Sequence, residues 1–239
     1  MSSFFDFSLF HTDSFKNLRQ ISPGVQSHLK QVYFDLACAL ATSGLGVYLH
    51  MLWNVGGSLS MIACAVTMIW LSFTPIYQEK KKLCLLMAAA LFEGASIGPL
   101  INLAIQIDAS ILIAAFVGTA IAFACFTGAA MLSRRREYLY LYAFISSGVS
   151  ILMWLHFASF LFGGSATLFK FELYFGLLVF VGYIVYDTQM IIEMAHVGDM
   201  DHVKHALHLF TDFVAVFVRI LIIMLKNSEE KEKKKKKRN

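Results

Sequence analysis

Hydrophobic residues occur in long stretches that contain at most two charged residues each. Residues 32–77, 83–107 and 173–192 hold one charge apiece, residues 206–225 hold two, and residues 109–133 and 138–169 hold none. A hydrocarbon core of about 30 Å requires about 20 apolar residues in a helix. A turn marked by Asn54, Gly56 and Gly57 divides the first stretch. The pattern predicts six membrane spans and a seventh, more polar segment: 32–53, 57–77, 83–106, 110–132, 138–161 and 170–192, followed by 206–225.

The same stretches predict the fold class. Backbone groups in lipid must be hydrogen-bonded within a helix or within a closed barrel. Barrel strands are about ten residues long and alternate between apolar and polar positions, whereas these stretches are twice as long and do not alternate. We therefore predict an all-α, polytopic membrane helix bundle. The composition agrees, because 58% of the residues are hydrophobic, only 15% are charged and the mean hydropathy is +0.64; a typical soluble enzyme has fewer apolar residues and more charge.

The chain divides into a short arm, the bundle and a basic tail. Residues 1–21 lack the basic start and the uninterrupted apolar run of a signal peptide, and we expect them to form a cytosolic arm. Ser22 followed by Pro23 is typical of a helix N-terminus, so the bundle is predicted to cover residues 22–225. The tail, residues 226–239, carries a net charge of +5, which leaves −1 for the rest of the chain. The bundle therefore has no basic surface for nucleic acid.

Basic residues between the spans predict the orientation. Ten of them fall on the side that holds the N-terminus, and one, Lys170, falls on the opposite side, which places the N-terminus in the cytosol. The tail fits this rule if residues 206–225 re-enter the membrane and return, and we expect this re-entry; a complete crossing stays open. The chain ends in Lys236-Lys237-Arg238-Asn239. Lys236 and Lys237 resemble a dilysine retrieval signal of the endoplasmic reticulum, which is read from the cytosol.

Four ionisable residues lie at the predicted membrane depth, where charge is costly and commonly functional: Asp187, Asp212, Arg219 and Glu93. Two carboxylates that are close together in a low-dielectric site share a proton. After losing that proton, they offer oxygen ligands that suit Ca²⁺. Asp187 and Asp212 are therefore the predicted proton sensor and transient calcium site. Arg219 is either a competing cation or a neutralising partner of Asp212, and Glu93 is either functional or a hydrogen-bonding contact between helices.

Three other positions concern packing. Gly94 and Gly98 predict a close approach of two helices, and Pro99 predicts a kink or an end of its helix. Asp35 lies near the cytosolic start of the first span and is expected to be interfacial.

No enzyme motif is complete. Tyr186-Asp187 matches half of an intramembrane aspartyl protease site, but the second half, Gly-x-Gly-Asp within a later helix, is missing. The four cysteines lie apart in apolar stretches, which favours packing over a disulfide or zinc site. Residues 193–205 hold three histidines, and we predict a solvated loop rather than a metal site. The chain is therefore expected to be a non-enzyme without a cofactor.

Six segments together resemble the Bax inhibitor-1 family, and most of all its plant members. They are Glu93–Ile101, Ala115–Phe126, Arg134–Tyr140, Phe169–Phe175, Tyr186–Gln189 and His205–Leu225. The resemblance covers roughly residues 18–239. It implies an endoplasmic-reticulum membrane protein that suppresses stress-induced programmed cell death and folds as six helices around a central seventh.

The resemblance also implies a mechanism. Members of the family are described as pH-sensitive calcium leak channels, and their proton-sensing aspartate pair matches Asp187 and Asp212. Some bacterial members place a basic partner for this pair in the second helix, but the span at residues 57–77 has no charge here.

The sequence and the resemblance therefore predict two alternative functions. The first is a pH-sensitive calcium leak in which calcium is the transported ion and the lipid bilayer is the main partner. The second is a non-conducting regulator that binds other membrane proteins of the endoplasmic reticulum, or that binds calmodulin through the basic tail.

Overall fold

A computed structural model describes residues 22–132 and 138–236, and every regular element within these ranges is an α-helix. The helices are α1 (Pro23–Trp53), α2 (Ser58–Phe73), α3 (Glu79–Leu132), α4 (Tyr138–Phe162), α5 (Ala166–Val197) and α6 (His202–Lys236). The predicted all-α class is confirmed. The predicted N-terminal arm and residues 237–239 of the tail lie outside the described residues.

Helix α3 consists of two arms that meet at a backbone break. Asp108 has non-helical dihedral angles, φ −166° and ψ 116°, and its Oδ1 accepts a hydrogen bond from the Ser110 N–H at 2.8 Å. The 54 residues of α3 would measure about 81 Å as one straight helix, more than twice the hydrocarbon thickness. The break therefore separates two crossings, in agreement with the predicted spans 83–106 and 110–132. Pro99 does not end its helix, since a membrane helix can satisfy the freed backbone group through its neighbours.

Local side-chain and backbone features fix the other helix ends. The Ser22 hydroxyl accepts a hydrogen bond from the Val25 N–H at 3.4 Å, with Pro23 in the first turn, as predicted. Helix α1 ends at Asn54, which adopts a left-handed conformation with φ 51°. The Ser165 hydroxyl caps α5, and Gly198 terminates that helix with φ 101°, a value that glycine adopts without steric cost.

Helix α6 occupies the centre of the bundle. It packs against α1, α3 and α5. Half of its most apolar stretch is buried, compared with 11–33% for the other four long apolar helices. The expected central last helix is therefore confirmed. The outer faces of the other helices are apolar and exposed, which suits contact with lipid; Leu59, Phe73, Phe160 and Phe162 each expose at least 82% of their surface.

Glycines bring α1 and α3 into backbone contact. A Cβ atom on Gly94 would overlap the backbone carbonyl of Ser43 in α1. A Cβ atom on Gly46 would likewise overlap the Leu91 carbonyl in α3. The close approach predicted from Gly94 and Gly98 is confirmed, and such approaches allow the extensive packing that stabilises helices in lipid.

The connections define two ends of the bundle. The first end contains the starts of α1 and α3 and the short loop between α5 and α6. The second end contains the α1–α2 turn, the break in α3 and the α4–α5 turn. Five helices are long and apolar enough to cross a membrane, and α2 is a shorter apolar helix. Together these features describe a multi-pass membrane protein.

The expected re-entry of residues 206–225 is wrong. Helix α6 continues without a turn from His202 to Lys236, because the segment 206–225 contains neither the glycine nor the proline that favours a sharp turn. The Lys226 ammonium lies 3.8 Å from the centroid of the Phe169 ring, and Lys170 Nζ lies 2.6 Å from Glu230 Oε1. Phe169 and Lys170 both belong to the start of α5, at the second end of the bundle.

This path has a consequence for the predicted orientation. Helix α6 runs from the first end of the bundle, where α1 starts, to the second end. The start of α1 and Lys236 therefore lie at opposite ends of the bundle, which disagrees with the expected return of the tail to the side of the N-terminus. Lys236 closes α6 and Lys237 lies outside the described residues, so the retrieval signal stays a prediction.

Candidate proton-sensing site

The two predicted aspartates meet in the bundle. Asp187 on α5 and Asp212 on α6 lie close enough for their carboxyl groups to interact directly. Asp212 is 5% exposed, and the Asp187 side chain is 14% exposed. Two buried carboxylates this close repel each other when both are ionised, so the arrangement favours a proton shared by the pair.

One oxygen of the pair remains unsatisfied. Asp212 Oδ2 is buried and has no hydrogen-bond partner among the described residues. An orphaned buried carboxyl oxygen costs stability, and such groups concentrate at functional sites. A proton shared by the two carboxyl groups would lower this cost.

A cavity gives the pair access to the first end of the bundle. It has a volume of about 270 Å³ and is lined by Asp187, Lys204, His205 and His208, together with Tyr186 and three apolar side chains. His208 Nδ1 lies 3.8 Å from Asp187 Oδ2, and the His208 side chain is 53% exposed. His208 therefore links Asp187 to the surroundings through this cavity. Sequence analysis missed this role, although His208 lies one helical turn before Asp212.

Arg219 does not neutralise the aspartate pair. Its Nη1 donates to the Ala215 carbonyl at 2.9 Å, and its guanidinium lies 4.0 Å from the centroid of the Phe180 ring. It forms no ion pair among the described residues. Seven residues along a helix correspond to about 10 Å, and the guanidinium remains at that distant level rather than approaching Asp212.

Glu93 is a contact between helices. Its Oε2 accepts a hydrogen bond from the Cys64 thiol at 3.2 Å, and the same thiol lies 3.4 Å from the Ala89 carbonyl oxygen. This arrangement joins α3 to α2, and no contact within the described residues links Glu93 to the aspartate pair. No group of three or more metal-ligating side chains occurs in the described part of the chain.

A second polar cluster closes the first end of the bundle, and we call it the polar belt. His28 Nε2 and His205 Nδ1 are 2.9 Å apart; His202 lies 2.5 Å from Asp35 and 3.2 Å from Glu79. The belt is completed by an ion pair between Lys82 and Asp201. It joins α1, α3 and α6.

The belt corrects one prediction, because Asp201 and His205 are 7% and 5% exposed rather than part of a solvated loop. Asp35 lies at the same end of the bundle and is 6% exposed; its predicted interfacial depth stays a prediction. The sequence did indicate that these residues lie on one side of the membrane, because each of them falls near the end of a predicted span on that side. Which residues pair across more than 100 positions was not readable from the sequence.

Comparison with known proteins finds a matching family profile and several similar proteins. A family profile described as inhibitor of apoptosis-promoting Bax1 matches residues 25–229. The chain is 67% identical over 230 residues to Bax inhibitor 1 of Arabidopsis thaliana, covering 95% of this chain and 93% of that protein. It is 63% identical over 215 residues to Bax inhibitor 1 of Oryza sativa subsp. japonica, covering 90% and 86%. It is 39% identical over 219 residues to Bax inhibitor 1 of Homo sapiens, covering 90% and 92%. The chain therefore belongs to the Bax inhibitor-1 family.

Proposed function

We propose that this protein suppresses stress-induced programmed cell death from the endoplasmic-reticulum membrane, as a pH-sensitive calcium leak gated by Asp187 and Asp212. The family supports an anti-apoptotic membrane protein. The observation that carries the finer proposal is the proximity of the two buried carboxyl groups on α5 and α6. A slow leak lowers the calcium store, and a lower store releases less calcium when stress opens other channels.

The shared proton acts as a latch between α5 and α6. With one proton on the pair, a hydrogen bond holds the two helices together. When the proton is lost, two negative charges in a low-dielectric site repel each other, and the helices separate. The freed carboxylates are then oxygen ligands that Ca²⁺ accepts, and the cavity beside Asp187 supplies the approach from the first end of the bundle.

The proposed orientation keeps the start of α1 on the cytosolic side. The lysines and arginines around α1, the α2–α3 turn, the α3–α4 connection and the α5–α6 loop favour this side. The basic tail then extends from the second end, on the lumenal side. This orientation places the cavity beside Asp187 towards the cytosol, where the pair would respond to cytosolic pH.

The test uses purified full-length protein in vesicles loaded with a calcium indicator. Wild-type flux should rise as the pH is increased, since the shared proton is lost. In Asp212→Asn the amide still donates to Asp187 but cannot lose a proton, so flux should stay low and independent of pH. Asp108→Asn is the matched control, because that carboxylate lies at the exposed break in α3 and its capping role is preserved.

The outcomes separate the two parts of the proposal. A normal pH response in Asp212→Asn would refute gating by the aspartate pair. An absence of wild-type flux at every pH would refute the leak and leave the non-conducting regulator.

The regulator remains the alternative function. In its favour, α6 continues as a helix for eleven residues past Leu225, and this extension contains most of the basic residues of the tail, as expected of a helical calmodulin target. With a cytosolic N-terminus, however, the tail is lumenal and out of reach of calmodulin. A calmodulin pull-down of full-length protein from intact, sealed microsomes tests this alternative.

A further inference from the structure

A crevice between α4, α5 and α6 combines apolar walls with opposite charges. Its volume is about 620 Å³, which lies within the range of small-molecule sites. Its charged lining consists of Arg219 and Glu172, and His156 lies beside them. The remaining lining is aliphatic and aromatic, with Phe157 and Phe160 on α4. The proposed leak does not use this crevice.

Arg219 provides a cation in the crevice that has no counter-ion among the described residues. Its guanidinium has five N–H donors, of which one donates to the Ala215 carbonyl. The side chain lies against Gly176 of α5, where a Cβ atom would stand 2.7 Å from Nε. Glycine at this position therefore lets the arginine pass across α5 into the crevice. A charge at this depth is costly unless it finds a partner.

Glu172 provides a carboxylate in the crevice, and two neighbouring side chains hold it in position. The Ser159 hydroxyl donates to its Oε1 at 3.2 Å, and His156 Nδ1 lies 3.9 Å from Oε2. The Glu172 side chain is 16% exposed, whereas the His156 side chain is 87% exposed. The carboxylate is therefore held inside the crevice while its histidine neighbour faces the surroundings.

The charges lie at the depth of lipid head groups. Glu172 is six residues from the start of α5 and His156 is six residues from the end of α4, or about 9 Å from the α4–α5 turn. The 32 residues of α5 extend about 48 Å, about 18 Å more than the hydrocarbon core. If this additional length of α5 is divided equally between the two sides of the membrane, Glu172 lies at the boundary between hydrocarbon and head groups. Arg219 lies slightly deeper, and its side chain reaches towards this boundary.

We propose that this crevice binds a zwitterionic phospholipid, with its phosphate at Arg219 and its ammonium at Glu172. Guanidinium groups bind phosphate through two parallel hydrogen bonds, and a carboxylate beside aromatic rings suits an ammonium group. The acyl chains lie along Val149, Leu152 and Met153, which line the crevice deeper on α4 than His156. Phosphatidylethanolamine fits the two charges best, because its primary ammonium donates hydrogen bonds to a carboxylate.

The experiment is native mass spectrometry of the full-length protein released from detergent micelles, with phosphatidylethanolamine or phosphatidylglycerol added at equal concentration. Wild type should retain one phosphatidylethanolamine in preference to phosphatidylglycerol. Arg219→Gln should weaken retention of both lipids at least about tenfold, as expected for the loss of a charged hydrogen-bonding partner. Arg219→Lys, which keeps the charge, should recover part of the binding. Glu172→Gln should keep phosphate binding but lose the preference for phosphatidylethanolamine.

Lys226→Gln is the matched control, since Lys226 is another cation of α6 that lies against a phenylalanine ring outside the crevice. Circular dichroism establishes that each variant keeps its helical content. Retention in Arg219→Gln equal to that of wild type would overturn the proposal, as would an equal loss in Lys226→Gln. Displacement of the lipid by inorganic phosphate at millimolar concentration would also overturn it, because the site would then be one for a bare anion.

Discussion

Lys82 and Asp201 form an ion pair inside the polar belt, and removing the lysine should destabilise the protein in a predictable way. Their side chains are 3% and 8% exposed, so neither charge can turn to water when its partner is lost. We consider Lys82→Met, which keeps the length of the side chain and removes its charge.

The expected loss follows from the other partners of Asp201. Removing one partner of a buried ion pair costs about 3–5 kcal/mol. Asp201 Oδ1 also accepts a hydrogen bond from the Lys204 N–H at 3.2 Å, and the carboxylate lies at the start of α6, where the helix dipole favours negative charge. The lower limit, about 3 kcal/mol, therefore applies to Lys82→Met, which corresponds to a fall in Tm of about 6–12 °C for a protein of this size.

The reverse substitution should cost more. Asp201→Ala leaves the Lys82 ammonium buried without its counter-ion and also removes the helix cap, which adds about 1 kcal/mol. The double variant Lys82→Met with Asp201→Asn removes both charges and keeps the cap. Its stability should return to within about 1.5 kcal/mol of wild type, because replacing a whole buried pair by neutral groups is often nearly neutral.

Thermal unfolding in a single detergent, followed by circular dichroism, measures all three variants. The reasoning is refuted if Lys82→Met leaves Tm unchanged, or if the double variant is less stable than both single variants.

Three further predictions concern packing, gating and topology. Gly94→Ala should lower the stability by about 1–3 kcal/mol through overpacking of α1 against α3, whereas Gly118→Ala, with open space around its Cβ, should be neutral or stabilising in the same thermal assay; equal effects would contradict the close contact. His208→Gln should change the calcium flux of vesicles relative to wild type, because it replaces the side chain that lies 3.8 Å from Asp187 Oδ2 in the cavity, and a flux equal to that of wild type would exclude His208 from the pathway. In a cysteine-free background, Gly164→Cys and Lys231→Cys should react with an impermeant maleimide from the same side of sealed microsomes; labelling from opposite sides would contradict the crossing of α6.

The positions of the helices were largely predictable from the sequence because hydropathy alone determines them. The break at Asp108 falls between the predicted spans 83–106 and 110–132, and Ser22 caps α1 as predicted. The contact between Asp187 and Asp212 was predictable for a similar reason, since an isolated charge in lipid requires a partner and the last two apolar segments are adjacent in the chain.

Other features depend on distances that the sequence does not encode locally. The path of α6 was predicted incorrectly, because the distribution of basic residues favoured a return that the uninterrupted helix does not make. The polar belt was missed because His28 and His205 are 177 positions apart. Arg219 was assigned to the aspartate pair by its spacing along one helix, whereas Phe180 and Gly176 on the neighbouring helix determine where its side chain lies.

The shortness of α2 has a consequence for the surrounding membrane. Its 16 residues measure about 24 Å, several ångströms less than the hydrocarbon core of an average bilayer, and it packs on α3 with its outer face towards lipid. The bilayer must compress beside this helix, and the energetic cost of that hydrophobic mismatch grows with membrane thickness. A sterol-rich plasma membrane, at about 32–33 Å, would require a larger deformation than the endoplasmic reticulum, at about 27 Å. The length of α2 by itself therefore makes the deformation of the bilayer smaller in a thinner membrane than in a thicker one.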